Sequence, residues 1–355
     1  MFYQNISLKP YNTFGIDVRT NFFAELSQIA DLQGIIASPK WQQTQKLILG
    51  GGSNLLFTKN FEGLVMKINF LGIQKVAEDA NFVWLKVGAG ENWHEFVLYA
   101  IANNYGGIEN LSLIYGTVGA SPMQNIGAYG VEIKDVVENV EAVSLESGEI
   151  LNFSHTACEF AYRQSIFKTT LKHKVVITNV TFKLTKQNHK FNISYGAISQ
   201  ELTKQNFDIS NINNANLDNS NNFNNLTLRA ISDAVIAIRQ SKLPNPAELG
   251  NAGSFFKNPE IPLTQFYKLK EIFTHIISYP TENQDIIKVP AGWLIEQCGW
   301  KGKKVGNVGV HKEQALVLVN YGNGTGSEIW ALATAIQESV HEKFGITLQM
   351  EVNVY

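Results

Sequence analysis

Two apolar runs end directly in glycines, and these junctions limit the folds open to the chain. Residues 46–49 continue into three consecutive glycines, and residues 82–87 continue into Gly-Ala-Gly. A P-loop is excluded after the first run because no Gly-Lys-Ser/Thr follows it. A Rossmann dinucleotide fingerprint is excluded after the second run because Trp93 stands where its third glycine should fall. If these glycines bind a ligand, they do so outside both of these folds.

The first junction, residues 50–54, reads Gly-Gly-Gly-Ser-Asn. Consecutive glycines at the end of a strand expose backbone N–H groups, which can form a concave site for phosphate. A tight turn without a ligand explains the same residues equally well. The segment alone leaves both interpretations open.

Residues 110–130 form a second stretch, in which Gly, Ala and small polar residues recur without a helical or strand period. A stretch of this length inside a folded domain is usually a binding loop rather than a plain connection. It can lie flat along an extended ligand and donate many backbone hydrogen bonds to it.

The third stretch, residues 250–259, surrounds the hydroxyl of Ser254 with small residues. Its glycines allow main chain or a ligand to approach closely, and we expect Phe255 and Phe256 to keep water away. Residues 239–246 precede it and are predicted to form an extended basic segment held by two prolines. A glycine-rich turn between two elements is the simpler alternative.

Arg163 lies among aromatic residues, between Tyr162 and Phe167. Most arginines in such surroundings are exposed and form salt bridges. An arginine flanked by rings can instead be a partly buried clamp for a carboxylate. Both interpretations remain open from the local sequence.

The composition favours a globular protein without a nucleic-acid or membrane partner. The chain has 355 residues, 45% of them apolar, and a formal net charge of -2, so bulk electrostatics would not hold it on nucleic acid. The first residues lack the pattern of a signal peptide, and no apolar run reaches the length of a membrane span. Cys158 and Cys298 have no metal-type spacing, so we expect no metal site and a cytoplasmic location.

Periodicity predicts a chain of mixed helices and strands. Helices are expected over residues 26–38, 93–102, 227–240, 263–274 and 327–344, with another starting near Pro290. Strands are expected over residues 46–49, 82–90, 140–151 (a pair joined by a turn at 146–149), 175–184, 191–193, 315–320 and 346–355.

Residues 206–225 are rich in asparagine and poor in apolar side chains. Such a segment cannot bury enough surface to offset the conformational entropy that it would lose on ordering. We expect a mobile surface insertion without a functional role.

Seven segments, in order along nearly the whole chain, resemble the UDP-N-acetylenolpyruvoylglucosamine reductase family. They are Asn-Thr-Phe-Gly at 12–15, Leu-Gly-Gly-Gly-Ser-Asn at 49–54, the loop at 116–130, Tyr-Arg-Gln-Ser at 162–165, the stretch at 250–259, Ala-Gly-Trp-Leu-Ile at 291–295 and the residues at 348–352. The resemblance implies an α+β chain with an FAD-binding fold of the vanillyl-alcohol-oxidase (PCMH) type in two subdomains, plus an α/β substrate-binding domain. The implied bounds are residues 1–71 joined by the C-terminal strand 346–355, residues 72–243 with the asparagine-rich insertion, and residues 244–345.

The same resemblance implies an NADPH-dependent flavoenzyme. It would reduce the enolpyruvyl group of UDP-N-acetylglucosamine enolpyruvate to give UDP-N-acetylmuramate for peptidoglycan. NADPH would be the co-substrate, and FAD would be noncovalent, since the glycine-rich loops contain neither His nor Cys for a covalent link. We expect a small-molecule substrate and a monomer. The alternatives are another noncovalent-FAD oxidoreductase of the same fold that acts on a sugar or alcohol, and a nucleotide-binding relative without catalysis.

By the resemblance, Arg163, Ser254 and Glu351 are the catalytic residues. Arg163 would stabilise negative charge on the substrate carboxylate, Ser254 would donate a proton, and Glu351 would help to polarise the same intermediate. The implied cofactor contacts are Gly50, Gly51, Gly52, Ser53, Asn54, Gly116, Thr117, Gly119, Ala120, Asn125, Gly127, Ala128 and Tyr129. The implied substrate contacts are Tyr129, the mobile Tyr195, Lys242, Asn258, Tyr279 and Gln314.

Four positions depart from the usual family pattern. Tyr115 stands where proline is usual, Ser121 where alanine is frequent, Gln349 where glutamate is common, and Asn353 where arginine is frequent. The first two changes are compatible with a loop that lies on a flavin, and we assign no role to Asn353.

Overall fold

The computed structural model describes residues 2–207 and 226–355. From residue 208 onward, the insertion expected over residues 206–225 lies outside the described residues. The chain forms two compact units. Unit 1 comprises Met1–Gln4, Asn21–Gly51 and Gly63–Arg239, and unit 2 comprises Asn5–Thr20, Gly52–Glu62 and Gln240–Tyr355. The three domains implied by the resemblance stay a prediction.

Helices and strands are numbered here in chain order over the described residues. The α-helices are α1 (Ile29–Ala37), α2 (Pro39–Gln42), α3 (Trp93–Ala102), α4 (Gly196–Lys204), α5 (Leu228–Lys242), α6 (Leu263–Ile272), α7 (Ala291–Gln297) and α8 (Gly326–Phe344). The first twelve strands are β1 (Phe2–Ser7), β2 (Arg19–Leu26), β3 (Lys46–Leu49), β4 (Leu55–Leu56), β5 (Phe61–Ile68), β6 (Ile73–Glu78), β7 (Phe82–Gly88), β8 (Gly127–Ala128), β9 (Val131–Glu132), β10 (Val137–Ser144), β11 (Ile150–Ser154) and β12 (Val175–Thr185). The others are β13 (Gly250–Ser254), β14 (Glu260–Pro262), β15 (Tyr279–Pro280), β16 (Ile286–Lys288), β17 (Lys304–Val305), β18 (Val308–Val310), β19 (Val317–Asn320) and β20 (Asn353–Val354).

Local sequence signals fix the ends of α3 and α8. The Asn92 side chain caps α3 by accepting a hydrogen bond from the Glu95 N–H at 3.1 Å. α8 begins with a capping box between Thr325 and Glu328 and ends at Gly345, whose φ of 63° is left-handed. Both helices begin and end within about one residue of the prediction, because their apolar positions recur at helical spacing. Among the helices of the described residues, none combines the length and the apolar character that crossing a membrane requires.

Unit 1 contains a five-stranded antiparallel sheet with the order β11-β10-β12-β7-β6. The central strand β12 places Val180 opposite Val140 of β10 and Val87 of β7. One face of this sheet packs on α3, where the ring of Phe96 in α3 lies 4.9 Å from the ring of Phe182 in β12. This contact lies in the main apolar core of the unit. A second sheet, with the order β1-β2-β5-β3, pairs β3 with β5 in parallel.

A smaller apolar cluster in unit 1 joins α4 to α5. Ile198 and Leu202 of α4 pack with Ile231 and Val235 of α5. The ring of Tyr129 packs against the same cluster. The cluster therefore supports the segments that carry the two predicted substrate tyrosines.

Unit 2 contains a four-stranded antiparallel sheet with the order β13-β19-β18-β17. Helix α8 contacts β18, β19 and α7. A three-stranded sheet with the order β14-β16-β15 and the parallel pair β20-β4 complete the unit. Its core includes fully buried Phe14, Phe255 and Phe256, and the first two rings lie 6.3 Å apart.

Four of the segments expected from the sequence take a different form in the structure. Residues 191–193 form no strand, residues 250–254 form strand β13 rather than a simple turn, residues 239–242 belong to α5 rather than to an extended segment, and the final strand is limited to residues 353–354. Partners distant in sequence decide these short segments. Gly250 and Asn251, for example, pair with Asn320 and Val319 of β19, and such pairing overrides a weak local preference.

We expect the Cys158 thiol to resist alkylation near pH 8 as long as the protein is folded. Its side chain is fully buried, and burial raises the pKa of the thiol to about 12, so the reactive thiolate is almost absent. Iodoacetamide labelling followed by mass spectrometry should modify the half-buried Cys298 first, and Cys158 only after unfolding in guanidinium chloride. Rapid labelling of Cys158 in the folded protein would contradict this placement.

Candidate functional site

Two of the three predicted catalytic residues lie on adjacent segments of unit 2. The Glu351 N–H donates to the Phe255 carbonyl at 2.8 Å, and the Lys257 N–H donates to the Gln349 carbonyl at 2.9 Å. An antiparallel bridge joins Phe256 to Met350 between these bonds. The backbone therefore sets Glu351 beside the residue that follows Ser254.

The backbone at Ser254 is fixed by the buried side chain of Asn251. Its Oδ1 accepts from the Gly253 N–H at 3.0 Å, and its Nδ2 donates to the Leu249 carbonyl at 2.8 Å. Gly253 has a φ of 67°, a conformation that glycine adopts without strain. Ser254 itself is exposed. The end of β13 therefore presents the Ser254 hydroxyl while the neighbouring residues are held by hydrogen bonds.

Phe255 and Phe256 do not form the expected wall around the Ser254 hydroxyl. They are 0% and 1% exposed, so both rings belong to the core of unit 2. Their place in the core still serves the site, because it anchors the strand end that carries Ser254. The expectation that these rings keep water away from the hydroxyl is therefore wrong.

Asn258 and Gln314 both meet the start of α7 in unit 2. The Asn258 Oδ1 accepts from the Ala291 N–H at 3.0 Å, and the Gln314 Oε1 accepts from the Leu316 N–H at 3.2 Å. A Cβ on Gly292 would lie 3.2 Å from the Gln314 Oε1. Within the described residues neither amide nitrogen has an acceptor, so both side chains can donate to a ligand. The predicted substrate residues Lys242 and Tyr279 are exposed in the same unit.

Arg163, the third predicted catalytic residue, belongs to unit 1 and is held by the loop at 125–127. Its Nη2 donates to the Gly127 carbonyl at 2.8 Å. Its guanidinium lies 5.8 Å from the centre of the Tyr162 ring. The φ of Arg163 is 53°, a left-handed value that is uncommon outside glycine and asparagine. Such backbone strain is typical of residues that function fixes in place.

The predicted substrate residues Tyr129 and Tyr195 meet in unit 1. Their rings lie 5.2 Å apart in an edge-to-face arrangement. Burial raises the pKa of the Tyr129 hydroxyl, and the neighbouring Arg239 guanidinium opposes this rise. The Tyr195 side chain is 45% exposed, whereas Tyr129 packs on the cluster below it.

Sequence reasoning missed Arg239 of α5. Its Nε donates to the Leu113 carbonyl at 3.1 Å, and its guanidinium bonds the Tyr129 hydroxyl. Burial lowers the pKa of this guanidinium, and the nearby charge of Arg163 acts in the same direction. Within the described residues Arg239 has no carboxylate partner. A sequence signal existed, because positions 235, 236, 242 and 243 hold no acid that could pair with it along the helix.

The glycines that follow β3 have two features of a phosphate-binding loop, which are free backbone N–H groups and a closely packed backbone. Within the described residues, the N–H groups of Gly51 and Gly52 have no acceptor. A Cβ on Gly51 would lie 2.8 Å from the Cα of Gly116, so this turn needs glycine for its backbone to pack. Free, adjacent N–H donors at such a turn suit the pyrophosphate of a dinucleotide. The predicted contacts of residues 50–54 with FAD stay a prediction.

The backbone and side chains of the loop at 116–130 are already engaged in more hydrogen bonds to the protein than the sequence suggested. The Gly119 N–H donates to the Ala89 carbonyl at 2.9 Å, and the Ala120 N–H donates to the Thr117 carbonyl at 3.0 Å. The Asn125 amide nitrogen donates to Glu132 at 2.9 Å. Any contact of these residues with a cofactor must therefore use other atoms of the loop. The predicted cofactor roles of Gly116, Thr117, Gly127 and Ala128 likewise stay predictions.

Asn54 and Asn353 give the segment around Glu351 a second support in unit 2. The Asn54 Nδ2 donates to the Glu351 carbonyl at 3.3 Å. Both the backbone N–H and the side-chain amide of Asn353 donate to the Asn54 carbonyl at 3.1 Å. Asn353, which received no role from the sequence, therefore fastens the end of the glycine-rich loop to the strand after Glu351.

Comparisons with known proteins cover nearly the whole chain. A family model described as "UDP-N-acetylenolpyruvoylglucosamine reductase, C-terminal domain" matches residues 245–355, and one described as "FAD binding domain" matches residues 20–154. A curated UDP-N-acetylenolpyruvoylglucosamine reductase of Flavobacterium johnsoniae is 49% identical, and one of Amoebophilus asiaticus is 47% identical. Both alignments cover 99% of this chain and 98% of the relative.

The solved structures support the same assignment at the level of the fold. The crystal structure of the UDP-N-acetylenolpyruvylglucosamine reductase of Thermus caldophilus has a TM-score of 0.65 and 19% sequence identity, and the match covers 100% of both chains. This likeness and the FAD-binding model confirm the expected α+β, FAD-binding fold. The identity with curated relatives over nearly the full length shows that the chain belongs to the UDP-N-acetylenolpyruvoylglucosamine reductase family.

Proposed function

We propose that this protein reduces the enolpyruvyl group of UDP-N-acetylglucosamine enolpyruvate to give UDP-N-acetylmuramate for peptidoglycan, with bound FAD and with NADPH as co-substrate. The observation that carries the proposal is the backbone pairing that sets Glu351 beside Phe255, the residue after Ser254. Membership of the family supports the same activity, because the curated relatives bear the name of this reductase.

The glycine-rich turn after β3 would hold the cofactor. FAD, when bound, would supply the hydride chemistry between NADPH and the substrate. The N–H groups of Gly51 and Gly52 would donate to its pyrophosphate, as free backbone donors do in other anion sites. Residues 50–54 and 114–130 contain no His or Cys, which favours noncovalent binding.

Arg163 would stabilise the negative charge that develops on the substrate. Addition of hydride to the terminal carbon of the enolpyruvyl group delocalises charge onto its carboxylate. The planar guanidinium of Arg163 suits a carboxylate, and its bond to the Gly127 carbonyl holds it in place before the reaction. Arg239 would add a second positive charge in unit 1.

Ser254 would protonate the other carbon and complete the reduction. A free serine is a very weak acid, so the donation relies on the high basicity of the carbanionic intermediate. The exposed side chain and the backbone fixed by Asn251 suit a donor that must approach a substrate closely. Glu351, on the adjacent segment, would help to polarise the same intermediate.

The UDP-sugar part of the substrate would be bound by the amide and aromatic groups of unit 2. Asn258 and Gln314 keep their amide nitrogens available as donors, because their oxygens are already engaged by backbone N–H groups. Lys242 would neutralise phosphate charge, and the exposed Tyr279 ring would pack on the nucleotide.

Flavin absorbance in the two half-reactions tests the proposal. The purified protein should be yellow, NADPH should bleach it, and the enolpyruvyl substrate should restore the colour without oxygen. Acid precipitation should release the flavin. An oxidoreductase of sugars or alcohols would be bleached by those compounds and would not respond to the enolpyruvyl substrate. A nucleotide-binding relative without catalysis would bind UDP-sugars with no bleaching by NADPH.

Tyr195→Phe should raise the KM for the enolpyruvyl substrate about three- to tenfold, the effect of one lost hydrogen bond. The variant keeps the ring that meets Tyr129 and removes only the hydroxyl. Flavin reduction by NADPH should keep its rate, because Tyr195 would act in substrate binding. Steady-state kinetics and stopped-flow absorbance measure the two effects. A loss of flavin reduction with an unchanged KM would assign Tyr195 to a different step.

A further inference from the structure

Two asparagine amides connect the backbone segments that carry Tyr129 and Tyr195. The Asn110 Nδ2 donates to the Tyr129 carbonyl at 3.2 Å and to the Asn192 carbonyl at 2.8 Å. The Asn192 Nδ2 donates to the Gly130 carbonyl at 2.9 Å. Each amide thus reaches from one segment to another, and together they close a short network within unit 1.

The orientation of the Asn110 amide follows from these acceptors. Its two N–H groups face two carbonyl oxygens, so the opposite orientation would set oxygen against oxygen. The side chain is 1% exposed, and its Oδ1 has no hydrogen-bond partner within the described residues. A buried oxygen without a partner is costly. The two N–H groups of the Asn110 amide are thus both used, whereas its Oδ1 is not.

Asn192 holds the segment before Tyr195 from the other side. Its Oδ1 accepts from the Ser194 hydroxyl at 2.8 Å and from the Ser194 N–H at 3.3 Å. A Cβ on Gly130 would lie 3.0 Å from the Asn192 Nδ2. The bare backbone of Gly130 therefore makes room for the amide that binds it.

The backbone at Tyr129 is strained, and these bonds oppose its relaxation. Its φ is 52°, a left-handed value that is uncommon for a tyrosine. A residue stays in such a conformation only when its surroundings over-determine it. The Asn110 amide holds the Tyr129 carbonyl, and the Asn192 amide holds the next carbonyl along the chain.

We propose that Asn110 and Asn192 are positioning residues that set the rings of Tyr129 and Tyr195 edge to face. The proposal rests on the proposed function for one point only, which is that these tyrosines bind the enolpyruvyl substrate. Asn192 is hydrogen-bonded to both segments, so that a movement of the Tyr195 segment also displaces the backbone next to Tyr129. The role assigned to both asparagines is to hold the backbone of the tyrosines, and it includes no contact with a reacting atom.

Hydrogen–deuterium exchange on the full-length protein tests the coupling without any turnover. Asn192→Ala removes the bonds to Gly130 and Ser194, so exchange should accelerate about three- to tenfold at residues 193–197 and also at residues 129–131. Asn192→Asp keeps the acceptor for Ser194 and loses the donor to Gly130, so acceleration should be confined largely to residues 129–131. Acceleration at residues 193–197 alone in the alanine variant would overturn the coupling, whatever the function.

Kinetics then separate positioning from a merely structural role. Asn192→Ala should raise the KM for the enolpyruvyl substrate about three- to tenfold and leave flavin reduction by NADPH unchanged. Asn103→Ala is the matched control, because this exposed amide in the same unit donates to the Tyr99 carbonyl within its own helix end. An equal fall in both half-reactions would overturn the positioning role. So would an unchanged KM with faster exchange in Asn192→Ala when Tyr195→Phe does raise the KM. If Tyr195→Phe and Asn192→Ala both leave KM unchanged while exchange is coupled, the substrate role of Tyr195 fails instead.

Discussion

Ser254→Ala should slow reoxidation of the flavin by the enolpyruvyl substrate about a hundredfold or more, the usual scale for a positioned general acid. The substitution removes one oxygen from an exposed side chain. FAD should still bind, and NADPH should still bleach it at the wild-type rate, because the Asn251 bonds that fix this backbone remain. Anaerobic stopped-flow absorbance measures the two half-reactions separately.

Ser327→Ala provides the control for Ser254→Ala. This serine of the same unit donates from its hydroxyl to the Thr58 carbonyl and has no proposed role in the reaction. It should leave both half-reactions unchanged. Glu351→Gln should likewise slow reoxidation and leave bleaching by NADPH unchanged, since in the proposed mechanism both residues would act on one intermediate. A wild-type rate of reoxidation in Ser254→Ala, or an equal loss in both half-reactions, would rule out Ser254 as the proton donor.

Arg163→Ala should also slow reoxidation by the substrate about a hundredfold, the range seen when a preorganised charge-stabilising donor is removed. The guanidinium is already oriented by the Gly127 carbonyl and is not a flexible surface charge. Flavin reduction by NADPH should change little. The measurement is again the stopped-flow rate of each half-reaction, together with the melting temperature, because Arg163 has a left-handed backbone.

Two further variants separate the shape of Arg163 from its charge. Arg163→Lys keeps a positive charge but loses the planar fork, so it should recover only part of the rate. Arg229→Ala removes an exposed arginine of α5 that pairs with Asp233 at 4.0 Å, and it should have no effect. Full activity in Arg163→Lys would mean that charge alone suffices, and full activity in Arg163→Ala would overturn the role.

Segments with a long apolar period and loops rich in glycine could be predicted from the sequence. Strand β3 and helix α3 have the bounds that the apolar pattern gave, and the FAD-binding fold followed from the resemblance. These features are local, so a short window contains the whole signal. Strand β13 could not be found in this way, because Gly250 and Asn251 become a strand only through pairing with β19.

The parts of the site that escaped prediction depend on contacts between distant residues. Arg239 bonds a tyrosine 110 positions earlier in the chain, and no local pattern encodes that distance. The same holds for Asn110 and Asn192, since the hydrogen bond from the Asn110 amide to the Asn192 carbonyl spans 82 positions. Phe255 and Phe256 were misplaced for a related reason, since sequence shows that a ring is apolar but not which distant residue it packs on, as the Phe255 ring packs on Phe14.

Unit 2 has a consequence for how the protein is made. It combines Asn5–Thr20 and Gly52–Glu62 with Gln240–Tyr355, and the bond from Asn54 to Glu351 spans 297 positions. At a ribosome speed of about 5–20 residues per second, Asn54 leaves the ribosome about 15–60 s before Glu351. Until then the rings of Phe14 and Phe57, which are buried in the finished unit, lack their later partners. Unit 2 therefore cannot complete its core until its C-terminal segments have been made, and the apolar surface that stays open until then favours aggregation of the nascent chain, whatever the final stability of the unit.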